Sequence, residues 1–187
     1  MQIQRFAIRD LLLIRPVKHS DVRGFFSEVY RNDILSAQGI NSHFVQDNHV
    51  YSEKRGVLRG LHFQTPPNAQ GKLVRCTRGA ILDVAVDIRV GSPSFGHHVA
   101  VELSARNWQQ LWVPPGFAHG YVTLEIDCEV MYKVTQYWNS DSERGIAWDD
   151  PSLAIDWGIA SSALTIADKD QRNPRLFEIE PVFRYQA

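Results

Sequence analysis

The sequence predicts an all-β protein, a sandwich or small barrel of antiparallel strands, and three observations carry that expectation. Apolar residues recur at every second position along most of the chain, Gly, Pro, Asn and Asp punctuate those runs at short spacings, and helical periodicity is scarce. The 187 residues, 44% hydrophobic, can bury one sizeable core and are read as a single domain over 1–187.

In chain order, Asp33 to Gln38, stopped by Gly39, is the best short helix candidate. Val57 to Gln64 and Gln70 to Cys76 read as neighbouring strands. If these run uninterrupted, Leu58, His62 and Gln64 share one face of the first, and Lys72, Val74 and Cys76 share one face of the second. Leu82, Val84, Val86 and Ile88 alternate with Asp83 and Asp87, Val99, Val101 and Leu103 with Ala100 and Glu102, and Cys128, Val130, Tyr132 and Val134 form another such row. These are expected to be half-buried antiparallel strands. The turn signals Gly91 to Ser94, Ala105 to Asn107 and Pro114 to Gly116 separate them. From about Asn139 the pattern loosens, with its clearest break at Asp149-Asp150-Pro151, and this region is expected to pack on the barrel as an appendage. The segment after Asn173-Pro174 is a second helix candidate.

A net charge of -1 offers nothing to attract nucleic acid or an anionic membrane surface. Cys76 and Cys128 lie in apolar runs without CxxC spacing and read as reduced core thiols, so a cytoplasmic setting is expected. The first residues lack the charged and apolar regions of a signal peptide, and no apolar run is long enough to span a bilayer.

The chemistry starts with His62 and Lys72. A polar side chain facing a barrel interior costs stability unless it has a partner or a task. A proton acceptor and a cation converging there suit removal of a proton beside a carbonyl, the base taking the hydrogen and the cation holding the enolate oxygen. Taken singly, His62 is more often a satisfied core histidine than a base, Lys72 more often a snorkelling strand lysine and Tyr132 more often a core aromatic.

Trp112 to Gly120 contains a Pro-x-Gly-x-x-His turn, which resembles the second half of a cupin, the jelly-roll barrel family. Metal-binding cupins need His-x-His and a Glu in the first motif. Here Gln64 stands in place of the second His, and Ala69 and Gln70 occupy the neighbourhood of the carboxylate. His62 and His119 alone are too few ligands, so no metal is expected.

A closer resemblance runs through Asp21 to Glu28, Phe44 to His49, Val57 to Gln64, Ala69 to Cys76, Trp112 to Gly120, Tyr132-Lys133 and Ala167 to Asp170. These strings, in this order, resemble the dTDP-4-dehydrorhamnose 3,5-epimerase family. The resemblance implies a homodimeric cupin-type double-stranded β-helix with short peripheral helices. Its substrate would be dTDP-4-dehydro-6-deoxy-D-glucose, inverted at C3 and C5 without a cofactor on the way to dTDP-L-rhamnose. It further implies His62 as base, Asp170 as its partner with Asp168 as competitor for that role, Lys72 as the enolate-holding cation and Tyr132 as proton donor at C5.

Arg23 and Arg59 match substrate-contact positions and suit a diphosphate. Glu28, Gln46, Asn48, Glu143 and Lys169 match further contacts, with Tyr137 and Phe25 as candidates for stacking on thymine; His119 is read as a substrate contact ahead of a brace for its turn or a remnant of a metal site. Strand parity would put Arg59 and His62 on opposite faces, so either Gly60 marks a bulge or Arg59 reaches a site by another route, such as across a dimer. His97-His98 reads as surface variation, and Trp138 beside Tyr137 bears on the nucleotide pocket. The alternatives are a mono-epimerase or isomerase of a related dTDP-4-keto sugar, and a non-catalytic nucleotide-sugar-binding cupin.

Overall fold

Alternating side chains in this sequence build two facing sheets, and the computed structural model describes them over residues 1–186. The strands are β1 (Gln2–Arg5), β2 (Leu12–Arg15), β3 (His19–Asp21), β4 (Gly24–Phe26), β5 (Gln46–Ser52), β6 (Val57–Gln64) and β7 (Lys72–Arg78). They continue with β8 (Ala80–Asp87), β9 (His98–Ser104), β10 (Gln110–Val113), β11 (Phe117–Thr123), β12 (Cys128–Val134), β13 (Glu143–Gly145) and β14 (Thr165–Ile166). The first sheet has the order β1-β2-β10-β7-β12-β5 and the second β13-β6-β11-β8-β9, while β3 and β4 form a separate hairpin. All these pairs are antiparallel; β14 adds in parallel to the start of β6. This is the all-β antiparallel architecture that the periodicity predicts, in the cupin-type jelly-roll form that the resemblance implies. Among the described residues no helix is long and apolar enough to cross a membrane.

Three apolar layers result. Val74, Cys76, Leu111 and Val130 of the first sheet meet Ile81, Ala85, Leu103 and Phe117 of the second inside the barrel. The outer face of the second sheet, with Leu58, Leu61, Phe63, Val84 and Val122, is roofed by Ile146, Leu153, Trp157 and Leu176 of the expected appendage. Leu12, Leu73 and Trp112 on the outer face of the first sheet lie under Leu35 and Ile40.

That roof overturns one expectation. Strand β8 is not half-buried: its Val84 and Val86 row faces the appendage, and Asp83, Ala85 and Asp87 face inward. Period-two alternation says which residues share a face but not what covers each face. Asp87 is satisfied by Arg89 at 2.7 Å, Ser92 at 2.6 Å and Ser94 at 2.7 Å.

The parity expected of β6 also fails, at Gly60. Leu58 faces the appendage together with Leu61 and Phe63, not the interior with His62. The register against β11 jumps between His119↔His62 and Tyr121↔Arg59, so one extra residue is absorbed. Gly60 has φ +129°, and a Cβ there would lie 2.5 Å from the Gly120 Cα, so only glycine fits. The bulge puts Arg59, His62 and Gln64 on one side.

The helix candidates are shorter than expected. The first is a single α-helix, α1, over Asn32–Ser36, with Gly39 at φ +90° after it. The second is only a 3₁₀ turn at Leu176–Glu178. Docking decides this, because the Leu176 N–H is captured by buried Asp150 Oδ2 at 2.7 Å and its side chain joins the roof.

Candidate active site

His62 owes its position to three neighbours of β6. On one side β11 places His119 directly opposite His62; on the other, β13 covers the end of β6, with Gly145 opposite His62 and Glu143 opposite Gln64. At its start, β14 pairs Thr165 with Val57 and Ile166 with Leu58. Chain leaving β14 turns into a short 3₁₀ segment, Asp170–Arg172, which brings Asp170 against the bulge. Its Oδ2 accepts the Gly60 N–H at 3.3 Å, and its Oδ1 lies 2.6 Å from His62 Nε2. Burial alone would raise the Asp170 carboxyl, but the bonds from His62 and Gly60 hold it below the usual carboxylate range. An ionised carboxylate accepts only, so the Nε2 proton belongs to His62 and Nδ1 is left as the basic nitrogen.

Lys72 opens β7 on the facing sheet, and its ammonium donates to the His62 carbonyl oxygen at 3.4 Å. Burial of that ammonium pushes its pKa down to about 8, while Asp83 and then Glu143 pull it back up. Tyr132 stands on β12, next to β7, and burial raises its phenol, with Glu143 adding to the rise and Arg59 opposing it. His62, Lys72, Tyr132, Arg59, His119 and Asp170 all border one cavity of about 480 Å³. An adjoining hollow of about 380 Å³ is lined by Gln46, Asn48 and Gln70, and shares His62, Lys72, Tyr132 and Glu143 with the first. Gln46 and Asn48 hold each other at 2.8 Å, and Lys169 reaches Glu143 at 3.3 Å. Asp168, the competitor for the dyad, makes no bond to His62; Asp170 takes that place.

His119 Nε2 bonds buried Asp83 Oδ1 at 2.9 Å. Among the described residues no cluster of three or more His, Cys, Asp or Glu side chains could hold a metal ion.

The family model for dTDP-4-dehydrorhamnose 3,5-epimerase matches residues 5–178. The chain belongs to that family. It is 48% identical over 185 residues to the dTDP-4-dehydrorhamnose 3,5-epimerase of Sinorhizobium fredii (strain NBRC 101917 / NGR234), covering 99% of this chain and 94% of the relative. The Escherichia coli (strain K12) epimerase is also 48% identical over 185 residues, covering 98% and 97%. A crystal structure of the Legionella pneumophila Philadelphia 1 dTDP-6-deoxy-D-glucose-3,5-epimerase with dTDP-4-keto-L-rhamnose superposes with a TM-score of 0.95 at 43% identity, over 100% of this chain and 99% of that one.

Not every expected site residue reaches the cavity of this epimerase-family chain. Arg23, Phe25 and Glu28 stay on or beside the exposed β3–β4 hairpin. Arg23 pairs with Asp21, Glu28 with Arg31 at 3.4 Å, and Phe25 packs edge-on against Trp108 at 5.0 Å. Tyr137 is 63% exposed and lies off the cavity, whereas Trp138 lines both hollows. The two follow the end of β12, where alternation no longer says which of them turns inward. The sequence reading also passes over Asp83 and Tyr121. A doubly buried β8 and the register Tyr121↔Asp83 place both beside His119.

Proposed function

We propose that the whole chain works as one domain of a dTDP-4-dehydrorhamnose 3,5-epimerase, with His62 as the base for both inversions and Tyr132 as the acid at C5. In dTDP-4-dehydro-6-deoxy-D-glucose the C3 and C5 hydrogens flank the same C4 ketone and lie on one face of the chair, so one base can reach both. The opposite face must then be reprotonated. The observation that carries this reading is the division between sheets: His62 enters from β6 of one sheet, and Lys72 and Tyr132 from β7 and β12 of the other. A sugar held between them meets base on one face and phenol on the other. His62 Nδ1 takes the proton, the electron pair moves into the C3–C4 or C5–C4 enolate, and Lys72 donates to O4, contributing on the order of 3 kcal/mol in a dry site. Asp170 stabilises the imidazolium that forms.

Arg59 faces the diphosphate, with Gln46, Asn48, His119, Glu143 and Lys169 as further substrate contacts, and Trp138 replaces Tyr137 as the platform for thymine. A second copy of the chain completes the site. Its hairpin would carry Arg23, Phe25 and Glu28 to the nucleotide, which accounts for the exposure of Val22, Phe25 and Phe26 on a segment that its own protomer covers only in part. Two free thiols, Cys76 and Cys128, fit a reducing cytoplasm.

NMR of the nucleotide sugar incubated with enzyme in D2O tests the reaction. Deuterium at both C3 and C5 is expected; label at one carbon would make the enzyme a mono-epimerase, and at neither a binder. Tyr132→Phe keeps the packing and lacks the acidic hydroxyl, so it should exchange C3 while failing to form the doubly inverted sugar. Unchanged conversion by that variant would place the acid elsewhere.

A further inference from the structure

Asp83 is a buried carboxylate that the proposed reaction leaves unused. It has no exposed surface, faces the barrel interior from β8, and gives one oxygen to His119 at 2.9 Å. Its other oxygen, Oδ2, has no hydrogen-bond partner, and its cross-strand neighbour Tyr121 carries a hydroxyl that is likewise buried and unpartnered. A bare carboxylate oxygen in a protein interior is costly unless a cation answers it. Lys72 is the cation that points into the same interior from the facing sheet.

We propose that Asp83 is a positioning residue for the epimerisation: Oδ1 holds the His119 imidazole at the cavity wall, and Oδ2 supplies the negative field that keeps the Lys72 ammonium charged for the enolate oxygen. This rests on the role given to Lys72 above. The groups facing Lys72 are Arg59 and His62 from β6, Asp83 from β8, His119 from β11, Tyr132 from β12 and Glu143 from β13. Only two of these are carboxylates. Glu143 is shared with Lys169 at 3.3 Å, and the remaining carboxylate of the cavity, Asp170, is bonded to His62 and Gly60. Asp83 is the fully buried one of the two, its Oδ2 is without a partner, and its pull on the ammonium exceeds that of Glu143.

The sign follows from the opposing effects. Burial pulls Lys72 down to about 8 and Asp83 pushes it up, so removing the carboxylate must lower it further. Activity needs the charged amine and is lost as pH rises through that value. The test is the pH profile of kcat/KM for wild type, Asp83→Asn, His119→Asn and Lys72→Arg, with dTDP affinity and thermal melting measured alongside. Wild type should lose activity on the alkaline side near pH 8, the value of Lys72. Asp83→Asn should move that limb down by about one pH unit, lowering kcat/KM about twofold at pH 7 and about fivefold at pH 8, with dTDP affinity within about threefold of wild type. His119→Asn keeps the carboxylate, so its limb should stay in place. Should Asp83→Asn not fold, Asp83→Ser, with water in the vacated space, removes the same charge.

A uniform loss across pH with the limb unmoved would show a packing role and overturn the proposal. Lys72→Arg carries a permanent cation and should abolish the limb. If the limb survives in that variant, the role of Lys72 itself fails, an outcome separable from a failure of Asp83 alone.

Discussion

Two histidine–aspartate pairs stand opposite one another across β6 and β11, built from the same parts, each joined through Nε2. They differ in access. The His62 side chain keeps 23% exposure into the cavity, whereas that of His119 keeps 7%. Asp170 arrives from outside the sheet, on a turn after β14, and both its oxygens are occupied; Asp83 is part of the sheet and leaves one oxygen bare. The pairing alone therefore does not make a base. A base needs a partnered nitrogen that stabilises its charged form and a second nitrogen that substrate can reach. The more open His62 fits both conditions, in keeping with its proposed role as base, and the more enclosed His119 fits the proposed role of a substrate contact.

The sharpest way to break this contrast is to remove the imidazole of each pair in turn. His62→Asn should abolish solvent exchange at both carbons, a loss of about 10³-fold or more, while dTDP binding stays within a few fold, as titration calorimetry would show. Turnover near wild type would reverse the two assignments. Next in size is Asp170→Asn, expected to lower kcat about 100-fold because it keeps the base but removes its orientation and charge support. A loss equal to that of His62→Asn would mean that the imidazole cannot work at all without the carboxylate.

The same change at the other pair should act on binding. His119→Asn is expected to raise KM about tenfold with a smaller effect on kcat, the signature of a lost hydrogen bond made in both ground and transition states. A kcat collapse there would give His119 a share in proton transfer. The smallest effect belongs to chelation. The two facing imidazoles invite a metal, but each already has a carboxylate on Nε2, so exhaustive EDTA treatment should leave turnover unchanged. Loss of activity restored by one divalent ion would contradict it.

The side-chain rows of β7, β8, β9 and β12 were legible in the sequence, because alternation follows from the pleat of the backbone and from nothing more distant. The motifs also drew His62, Lys72, Tyr132 and Asp170 together as a set, and the fold brings all four to one cavity. What alternation could not supply was the other side of each strand. Asp83 looks solvent-facing from sequence because its neighbours Leu82 and Val84 are apolar, and it becomes an interior carboxylate only once the segment beyond Asn139 roofs the outer face of β8. The bulge at Gly60 is a matter of one residue more on β6 than on β11, visible only when the strands are paired. Trp138 rather than Tyr137 turns toward the cavity for a similar reason, since the chain past β12 is placed by Gln46 and Gln64, which bond the backbone N–H groups of Trp138 and Asn139 at 3.3 and 2.6 Å. Local periodicity encodes which side chains travel together, while the burial, field and reach of each depend on partners tens of residues away, and those only tertiary packing decides.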